Sequence, residues 1–332
     1  MPQQIKFFLI TVDTEGDNLW SRPRRITTQN ARFIPRFQEL CEKFGLKPCY
    51  LTNYEMAADT FFQEFGGEVL KRRTAEIGMH LHAWNSPPEL PLGEDDYRNQ
   101  PYLIEYSEPV IWQKIDYLTS MLEDLFQTKI TNHRAGRWAF NEVYAKLLLK
   151  RGYRVDCSVT PHVSWKAHLG DPKGTGGSDY TDFPDHPYLL NNEDIRLSGS
   201  SGLLELPVTV YPGNQNLLHR LIKHLNPANP VKRAVNMAFP SCYILAPRRF
   251  RLSALHRIVE WCIADSRTYV HFMTHSSELM PGGGPAFRTA ADVDRLYANL
   301  ERLFARVCRF FNSVTLSEYH NYFLDTKESE PR

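Results

Sequence analysis

The sequence predicts an α/β fold, a distorted (β/α) barrel with about seven mostly parallel strands. Short apolar stretches rich in β-branched and aromatic residues alternate with stretches whose apolar residues recur every three or four positions. This alternation is typical of a parallel sheet that is covered by helices. Because 332 residues suit one barrel and the sequence has no evident repeat or linker, we expect a single domain over residues 1–332.

The first half of the chain opens with a βαβ pattern. Gly45 is expected to end the first helix, and Gly66 with Gly67 is expected to interrupt the second. The elements predicted here are a strand at 5–12, a helix near 30–44, a strand at 47–52, a helix at 56–73 and a strand at 76–82.

The second half continues the alternation. An apolar stripe formed by Ile111, Ile115, Leu118, Leu122 and Leu125 predicts an amphipathic helix on the sheet. A further helix ends at Gly152, and the last helix has an apolar face between positions 293 and 304. The remaining strands are predicted at 153–159, 203–208 and 269–274.

One connection stands out by its length. Residues 162–202 are rich in Gly, Asp, Pro and Ser, and the segment is longer than an ordinary connection. We therefore expect an excursion that covers a site. The six cysteines are scattered without a C-x-x-C pair, so we expect them to be buried and reduced rather than zinc-bound or in disulfides.

Two carboxylates come at the end of the first strand. Asp13 and Glu15 are two positions apart, and alternate side chains of a strand lie on the same face. Burying both without a partner would be costly, so they require a cation, a proton or an arginine nearby.

A pair of histidines has the same spacing on a later strand. His80 and His82 alternate with Met79 and Leu81, which directs both imidazoles toward the barrel interior. Two histidines and one carboxylate form a standard ligand set for catalytic zinc, with one position open for water. The alternative is two histidines with ordinary structural hydrogen bonds, and the acidic pair elsewhere favours the metal site.

Other expected strand ends carry polar residues as well. Arg134 can orient an acidic base and hold it ionised, and Gly136 permits close approach of the backbone to a ligand. His275 ends the last strand, and a carboxylate such as Asp156 would favour the protonated histidine that a general acid requires. Glu205 fits a pocket residue and a strand-edge charge equally well.

The order of these residues resembles that of the motifs of the polysaccharide deacetylase, or NodB-homology, family. Asp13 with Glu15 is similar to the first motif, which contains a catalytic-base aspartate and an acidic metal ligand. Residues 76–80 are similar to the histidine motif. The resemblance extends from Asp13 to His275 and so covers most of the chain.

The later motifs complete the resemblance. Residues 134–138 are similar to the arginine motif, in which the aromatic position, here Trp138, gives a backbone N–H to the oxyanion hole. Residues 156–161 are similar to the aspartate motif that tunes the general acid. His275 matches the closing general acid.

This sequence departs from the family pattern at two places. The usual first motif has adjacent aspartates, whereas here Thr14 separates the carboxylates and the second is Glu15. The second family histidine falls four residues after the first, where this sequence has Trp84. The third ligand therefore stays open between His82, Asn85 and a water molecule.

The resemblance implies a metal-dependent hydrolase that removes an N-acetyl group from an amino sugar of a surface polysaccharide or its precursor, as in lipopolysaccharide biosynthesis. The implied cofactor is a divalent metal, with zinc favoured. Alternatives are a metal-free or deformylase-like relative acting on another linear amide, and a catalytically silent sugar-binding barrel. The implied catalytic residues are Asp13, Arg134, Trp138, Asp156 and His275, and the implied metal ligands are Glu15, His80 and His82.

The charge of the chain limits its partners. The chain has 39 basic and 38 acidic residues, and so small a net charge argues against a nucleic acid polymer as its binding partner. Residues 206–259 contain no Asp or Glu but several Lys and Arg. This segment predicts either a solvated basic face or contact with a nucleotide sugar, a lipid-linked saccharide or a membrane surface. The N-terminus has no signal-like features and no apolar run approaches the roughly 18 residues of a membrane span, so we expect a cytoplasmic protein.

Overall fold

A nine-stranded, mostly parallel sheet lies at the centre of the fold and confirms the predicted α/β class. The computed structural model describes residues 5–17, 19–213, 230–231, 235, 242–247 and 252–328. The strands of this sheet are β1 (Phe7–Thr14), β2 (Pro48–Thr52), β3 (Glu76–Leu81), β4 (Asn132–Ala135), β5 (Val155–Asp156), β6 (Tyr188–Leu189), β7 (Leu204–Glu205), β10 (Tyr269–His275) and β11 (Asn312–Ser313). A separate antiparallel pair is formed by β8 (Val210–Pro212) and β9 (Cys242–Ile244).

The sheet curls into a distorted barrel. Its strand order is β10-β1-β2-β3-β4-β5-β7-β6, with β11 beside β1 and only β6 antiparallel to its neighbour. Past β7 the chain leaves regular pairing, yet the Thr209 N–H donates to the carbonyl of His271 in β10 (3.1 Å). Irregular backbone therefore bridges the two sides of the curled sheet in place of a further strand.

Helices surround the outer face of the sheet. Alternation along β1 directs Phe8, Ile10 and Val12 into the main core between the sheet and these helices. The helices whose bounds fall within the described residues are α1 (Ile34–Lys43), α2 (Tyr54–Ala57), α3 (Thr60–Arg72), α4 (Asp96–Asn99), α5 (Glu108–Phe126), α6 (Glu142–Arg151), α7 (Leu252–Ala264), α8 (Ala290–Val307) and α9 (Leu316–Glu328).

The barrel interior is apolar at one end and polar at the other. On β1, Phe7 and Leu9 belong to a second buried cluster that also includes residues of α9, and the Phe7 and Tyr319 rings are 5.4 Å apart. Helix α9 thus covers the amino ends of the strands. The last helix that the sequence predicts is the one with an apolar face at 293–304, so α9 is an additional element. The next inward residues of β1, Thr11 and Asp13, are polar, so the carboxyl ends are left for chemistry.

The predicted break at Gly66 and Gly67 is wrong, because α3 passes through both residues without interruption. A Cβ atom on Gly66 would lie 2.5 Å from the ring of Phe126 in α5, whereas a Cβ on Gly67 would meet nothing within 4 Å. Gly66 therefore permits close packing of two helices. The helix boundary falls earlier, at Asp59, whose carboxylate accepts the Phe62 N–H (3.0 Å).

Some smaller sequence expectations also need correction. Leu125 is exposed, and Phe126 takes its place at the buried end of the stripe. Cys308 is exposed, although Cys41, Cys49, Cys157 and Cys262 are buried as expected. The strands predicted at 153–159 and 203–208 shorten to β5 and β7, because the residues after each strand leave the ladder to form other contacts.

The basic segment predicted at 206–259 lies largely outside the described residues. Within the described part of the chain, no helix combines the length and the apolar character needed to cross a membrane.

Two matched substitutions test the role of Gly66. Gly66→Val should lower the free energy of unfolding by about 1–3 kcal/mol, because its side chain overlaps the Phe126 ring. Gly67→Val, at an exposed position of the same helix, should change it by less than about 1 kcal/mol. Denaturant unfolding of both variants measures the difference, and equal effects would contradict the packing assignment.

Candidate metal centre

The register of the sheet brings the predicted site residues to one edge. β1 lies next to β10, where Asp13 pairs with His275, and β3 lies next to β4, where His80 pairs with Arg134. Because these strands are parallel, their carboxyl ends meet at the same end of the barrel. A cavity of about 320 Å³ opens there, lined by side chains that include Asp13, Glu15, His80, His82 and His275.

Glu15, His80 and His82 form a buried group that can hold a metal ion. One ligand atom from each lies within 4.8 Å of the others. Oε2 of Glu15 is 2.9 Å from Nε2 of His82 and 3.6 Å from Nε2 of His80. Two imidazole nitrogens and one carboxylate oxygen are a donor set that suits zinc and similar divalent ions, so these residues fit the implied metal.

The orientation of His80 also suits a ligand. Its Nδ1–H donates to the carbonyl of Arg134 (3.0 Å), which leaves the Nε2 lone pair directed at Glu15. Burial alone would lower the pKa of His80, but the charges of Asp13 and Glu15 raise it above the usual value. A proton on His80 therefore competes with a metal for the same nitrogen.

Of the candidates that the sequence left open for the third ligand, His82 is the one that lies beside Glu15 and His80. Burial and the nearby charge of His80 lower the pKa of His82 to about 4, despite its contact with Glu15, so its imidazole is neutral as a ligand requires. A Cβ on Gly136 would lie 2.9 Å from Nδ1 of His82, so the glycine allows the β4 end to pass against this ring. Asn85, the other candidate, donates its amide N–H to Glu55 (2.8 Å).

Two residues that sequence reasoning missed hold the backbone of Glu15. Its N–H donates to Oγ of Ser276 (3.1 Å), and its carbonyl accepts from Ser276 Oγ (3.0 Å) and from the Asn30 amide (2.8 Å). Both residues are single polar side chains without a repeating pattern, so only the tertiary structure reveals them. They fix the carboxylate just past the end of β1.

Asp13 forms a buried ion pair with Arg134. The guanidinium donates to Asp13 (2.5 Å), to the Thr11 hydroxyl (2.8 Å) and to the Cys157 carbonyl (2.9 Å). Burial would raise the pKa of Asp13, but the charge of Arg134, aided by His80, keeps it below its usual value. Asp13 is therefore an ionised carboxylate facing the cavity, able to accept a proton or a hydrogen bond.

The carboxylates near His275 are those of Glu278 and Asp13, not that of Asp156 as the sequence led us to expect. Oε2 of Glu278 lies 3.7 Å from Nδ1 of His275 and accepts the His275 backbone N–H (3.0 Å). Burial opposes protonation, but the contact with Glu278 and the charges of Glu15 and Asp13 raise the pKa of His275 to about 9. The 3₁₀ turn Ser276–Leu279 brings Glu278 back to the histidine.

Asp156 lies in a separate buried network. Its carboxylate contacts His133 Nδ1 (2.6 Å) and accepts from the Ser158 N–H (2.8 Å) and hydroxyl (2.9 Å). Ser158 Oγ in turn accepts the Ala135 N–H (2.8 Å), so Asp156 supports the end of β4 next to Arg134. Glu205 is wholly buried beside it rather than at an exposed edge, and burial together with the charge of Asp156 raises the pKa of Glu205 well above its usual value.

Trp138 forms one wall of the cavity. Its indole stacks parallel to that of Trp165, with ring centroids 6.2 Å apart, and the Arg134 guanidinium lies 5.0 Å from its ring. Trp138 (φ 64°) and Arg137 (φ 54°) both adopt left-handed backbone conformations, which cost energy in residues other than glycine. Trp165 and His168, from the predicted excursion at 162–202, also line the cavity.

Comparisons with known proteins agree on the fold. No protein-family model matches the sequence, and no curated protein matches it significantly. A candidate glycoside hydrolase/deacetylase structure from Parabacteroides distasonis aligns with a TM-score of 0.63 at 12% identity, over 97% of this chain and 73% of that one. A candidate polysaccharide deacetylase from Mycobacterium smegmatis aligns with a TM-score of 0.55 at 15% identity, over 100% of this chain and 94% of that one.

The fold is therefore the one found among polysaccharide deacetylase structures, and the resemblance noted in the sequence is confirmed at that level. Identities this low show the fold alone, so the chemistry of this chain has to be argued from its own residues.

Removal of His82 tests the metal centre. His82→Ala should weaken zinc binding by roughly 100-fold or more, because one of three protein ligands is lost. His168→Ala, an exposed position on the same cavity, should leave affinity unchanged. Competition with a chromogenic chelator measures both. Affinity of the unmodified protein should also fall as the pH is lowered through the raised pKa of His80. Equal affinity of the two variants would contradict the assignment.

Substitution of Glu278 tests the environment of His275. In the metal-free protein His275 should hold its proton up to a pH of about 9 and lose it above. Glu278→Gln removes a contacting negative charge and should lower the pKa of His275 by about one pH unit. Glu318→Gln, which alters a surface ion pair with Lys47, is the control. Histidine NMR titration measures the pKa of His275 in the unmodified protein and in both variants. An unchanged midpoint in Glu278→Gln would refute the role of this carboxylate.

Proposed function

We propose that this chain is a metal-dependent hydrolase that removes an N-acetyl group from an amino sugar of a surface polysaccharide or its precursor. The observation that carries the proposal is the convergence of two units on one cavity. One is the Glu15, His80 and His82 group, and the other is the Asp13 carboxylate held ionised by Arg134. Amide hydrolysis requires activation of the carbonyl and activation of water, and these units suit the two tasks.

Glu15, His80 and His82 would hold the ion, with zinc favoured by the two nitrogen donors. A divalent ion at this position supplies Lewis-acid catalysis, by polarising the amide carbonyl of the substrate. The chain itself contributes the fixed orientation of the ligands, since His80 is anchored on the Arg134 carbonyl and Glu15 on Ser276.

Asp13 is the general base in this proposal. It is ionised, it lines the cavity, and Arg134 holds it in one orientation while leaving Oδ2 toward His275. Asp13 accepts a proton from the attacking water. Because Arg134 is fully buried and bonded to Thr11 and Cys157 as well, the carboxylate cannot swing away during the reaction.

His275 is the general acid. Its Nε2 lies 3.8 Å from Oδ2 of Asp13 on the neighbouring strand, so the acid and the base border the same part of the cavity. Its raised pKa keeps a proton available at neutral pH, and the proton goes to the nitrogen of the leaving amine. The opposite environments of Asp13 and His275 provide one proton acceptor and one proton donor at the same pH.

Trp138 has two roles in the proposal. Its backbone N–H is the predicted donor to the developing oxyanion, and its indole with that of Trp165 offers an apolar face to a sugar ring. The left-handed backbone at Trp138 supports this assignment, because strained residues tend to persist where the surroundings need one particular orientation.

A catalytically silent sugar-binding barrel would need the aromatic wall of the cavity, but it would need neither the buried Arg134–Asp13 ion pair nor the group of metal ligands. Burying Arg134 and Asp13 removes two charges from water at considerable cost, and nothing in sugar binding calls for that cost. A deformylase-like reaction on another linear amide would use the same groups, so N-formyl and N-acetyl substrates must both be assayed.

Separate variants divide the proposed roles. Asp13→Asn should retain metal but lose roughly 10²–10⁴-fold in turnover, because the general base is gone. His80→Ala should lose both metal and turnover. Asp116→Asn, which alters a partly exposed ion pair with Arg151, should retain both.

Release of acetate from N-acetylated oligosaccharides and metal content after gel filtration are the two measurements. Equal loss of metal in Asp13→Asn and His80→Ala would contradict the division of roles. Full turnover by Asp13→Asn would contradict the assignment of the base.

A further inference from the structure

Two arginines that line the cavity have no ion pair with any carboxylate among the described residues. Arg22 and Arg137 both contribute to its wall. In the part of the chain that the structure describes, the hydrogen bonds of their guanidinium groups go to backbone carbonyls: Arg22 donates to Arg98 (2.5 Å), and Arg137 donates to Gln100 and to Leu169 (3.0 Å). Their guanidinium groups are thus held in place without a direct ion pair to a described carboxylate.

Arg137 is held especially firmly. Its guanidinium lies 4.2 Å from the centre of the Tyr102 ring, in addition to its two carbonyl contacts. A planar guanidinium fixed in this way still has unused N–H donors. The nearby carboxylate of Glu105 forms no direct ion pair with Arg137, and it accepts the backbone N–H of Tyr102 (2.6 Å) and of Asp171 (3.0 Å) instead.

The two arginines border the same part of the cavity, because their guanidinium groups bond to backbone carbonyls only two residues apart, those of Arg98 and Gln100. Arg137 directly follows Gly136, the residue that passes against the His82 ring. Arg22 lies two residues after Trp20, whose ring is 5.4 Å from that of His275. Arg22 (φ 52°) and Arg137 (φ 54°) both have left-handed backbone conformations. Such strain in non-glycine residues tends to occur where an orientation matters.

The carboxylates of the cavity already have other partners. Asp13 is paired with Arg134, and Glu15 contacts the two histidines. Neither therefore accounts for Arg22 and Arg137. Two fixed guanidinium groups on the wall of a cavity attract an anionic ligand and can donate charge-assisted hydrogen bonds to it.

We infer that the acylated sugar carries an oxyanion, a carboxylate or a phosphate group, and that Arg22 and Arg137 bind it. This inference rests on the proposed function and narrows its substrate class from amino sugars in general to anionic ones. The cavity volume of about 320 Å³ suits one or two sugar rings more than a long segment of polymer. The stacked Trp138 and Trp165 provide the apolar face against which such a ring packs.

Binding to four probes tests the inference without requiring turnover. The probes are N-acetylglucosamine, its 1-phosphate, its 6-phosphate and N-acetylglucosaminuronic acid. Calorimetry on the zinc-loaded Asp13→Asn protein should show that at least one charged probe binds 10-fold or more tightly than the neutral sugar. The phosphate and carboxylate probes distinguish the two sources of the oxyanion. Raising the salt concentration should weaken the binding of the charged probes only.

Arginine variants assign the contact. Arg137→Gln and Arg22→Gln, each in the Asp13→Asn background, should weaken binding of the preferred charged probe by roughly 10- to 100-fold. Each should weaken binding of the neutral sugar by less than about 2-fold. Arg137→Lys should restore part of the loss, because it keeps the charge but not the planar geometry. Arg24→Gln is the matched control, since this exposed arginine pairs with Asp95 outside the cavity lining.

The outcomes separate this inference from the proposed function. The inference is overturned if all four probes bind with equal affinity. It is also overturned if the arginine variants weaken the binding of neutral and charged probes by the same factor, even when acetate is released. If the unmodified protein releases acetate from no probe but Arg22 and Arg137 still confer the preference for a charged sugar, the oxyanion site stands and the hydrolase proposal fails.

Discussion

The buried ion pair between Arg134 and Asp13 constrains the polar end of the barrel more than any other contact. β1 and β4 are not neighbours in the sheet, since β2 and β3 lie between them, so the pair spans the barrel interior. The same guanidinium bonds to Thr11 and to the carbonyl of Cys157. A buried charge that loses its partner costs roughly 3–5 kcal/mol, so these contacts favour one arrangement of three strand ends.

The Arg134–Asp13 ion pair also determines how the other charges of the site are balanced. Arg134 satisfies Asp13, which leaves Glu15 to be balanced by the two histidines and by whatever cation they hold. Asp13 stays ionised while His275 retains a proton, because the first has a guanidinium beside it and the second has carboxylates. The chemistry proposed for the cavity depends on these unequal environments within a few ångströms.

The sequence predicts the fold class and the main site because both follow from simple periodicities. The spacing of two places the imidazoles of His80 and His82 on one face, and parallel strands gather at one edge. Glu278 could not be found in the same way, because its contact with His275 depends on a 3₁₀ turn rather than on a strand. The break predicted at Gly66 is wrong for a similar reason. The glycine allows α3 to pack closely against Phe126 of α5, and helix propensity along the chain does not report such a tertiary contact.

The passage of Gly136 against the His82 ring has a consequence for how such a site can change over evolution. Arg137 and Trp138, which line the cavity, directly follow the glycine that abuts His82, a proposed metal ligand. In the proposed enzyme, substrate recognition and metal affinity would therefore be mechanically coupled. Insertions or bulkier residues that would broaden the choice of substrate at this point would also displace the imidazole. Substitutions at Trp20 and Arg22, which also line the cavity, carry no such coupling, because neither residue adjoins one of the three proposed ligands in the chain.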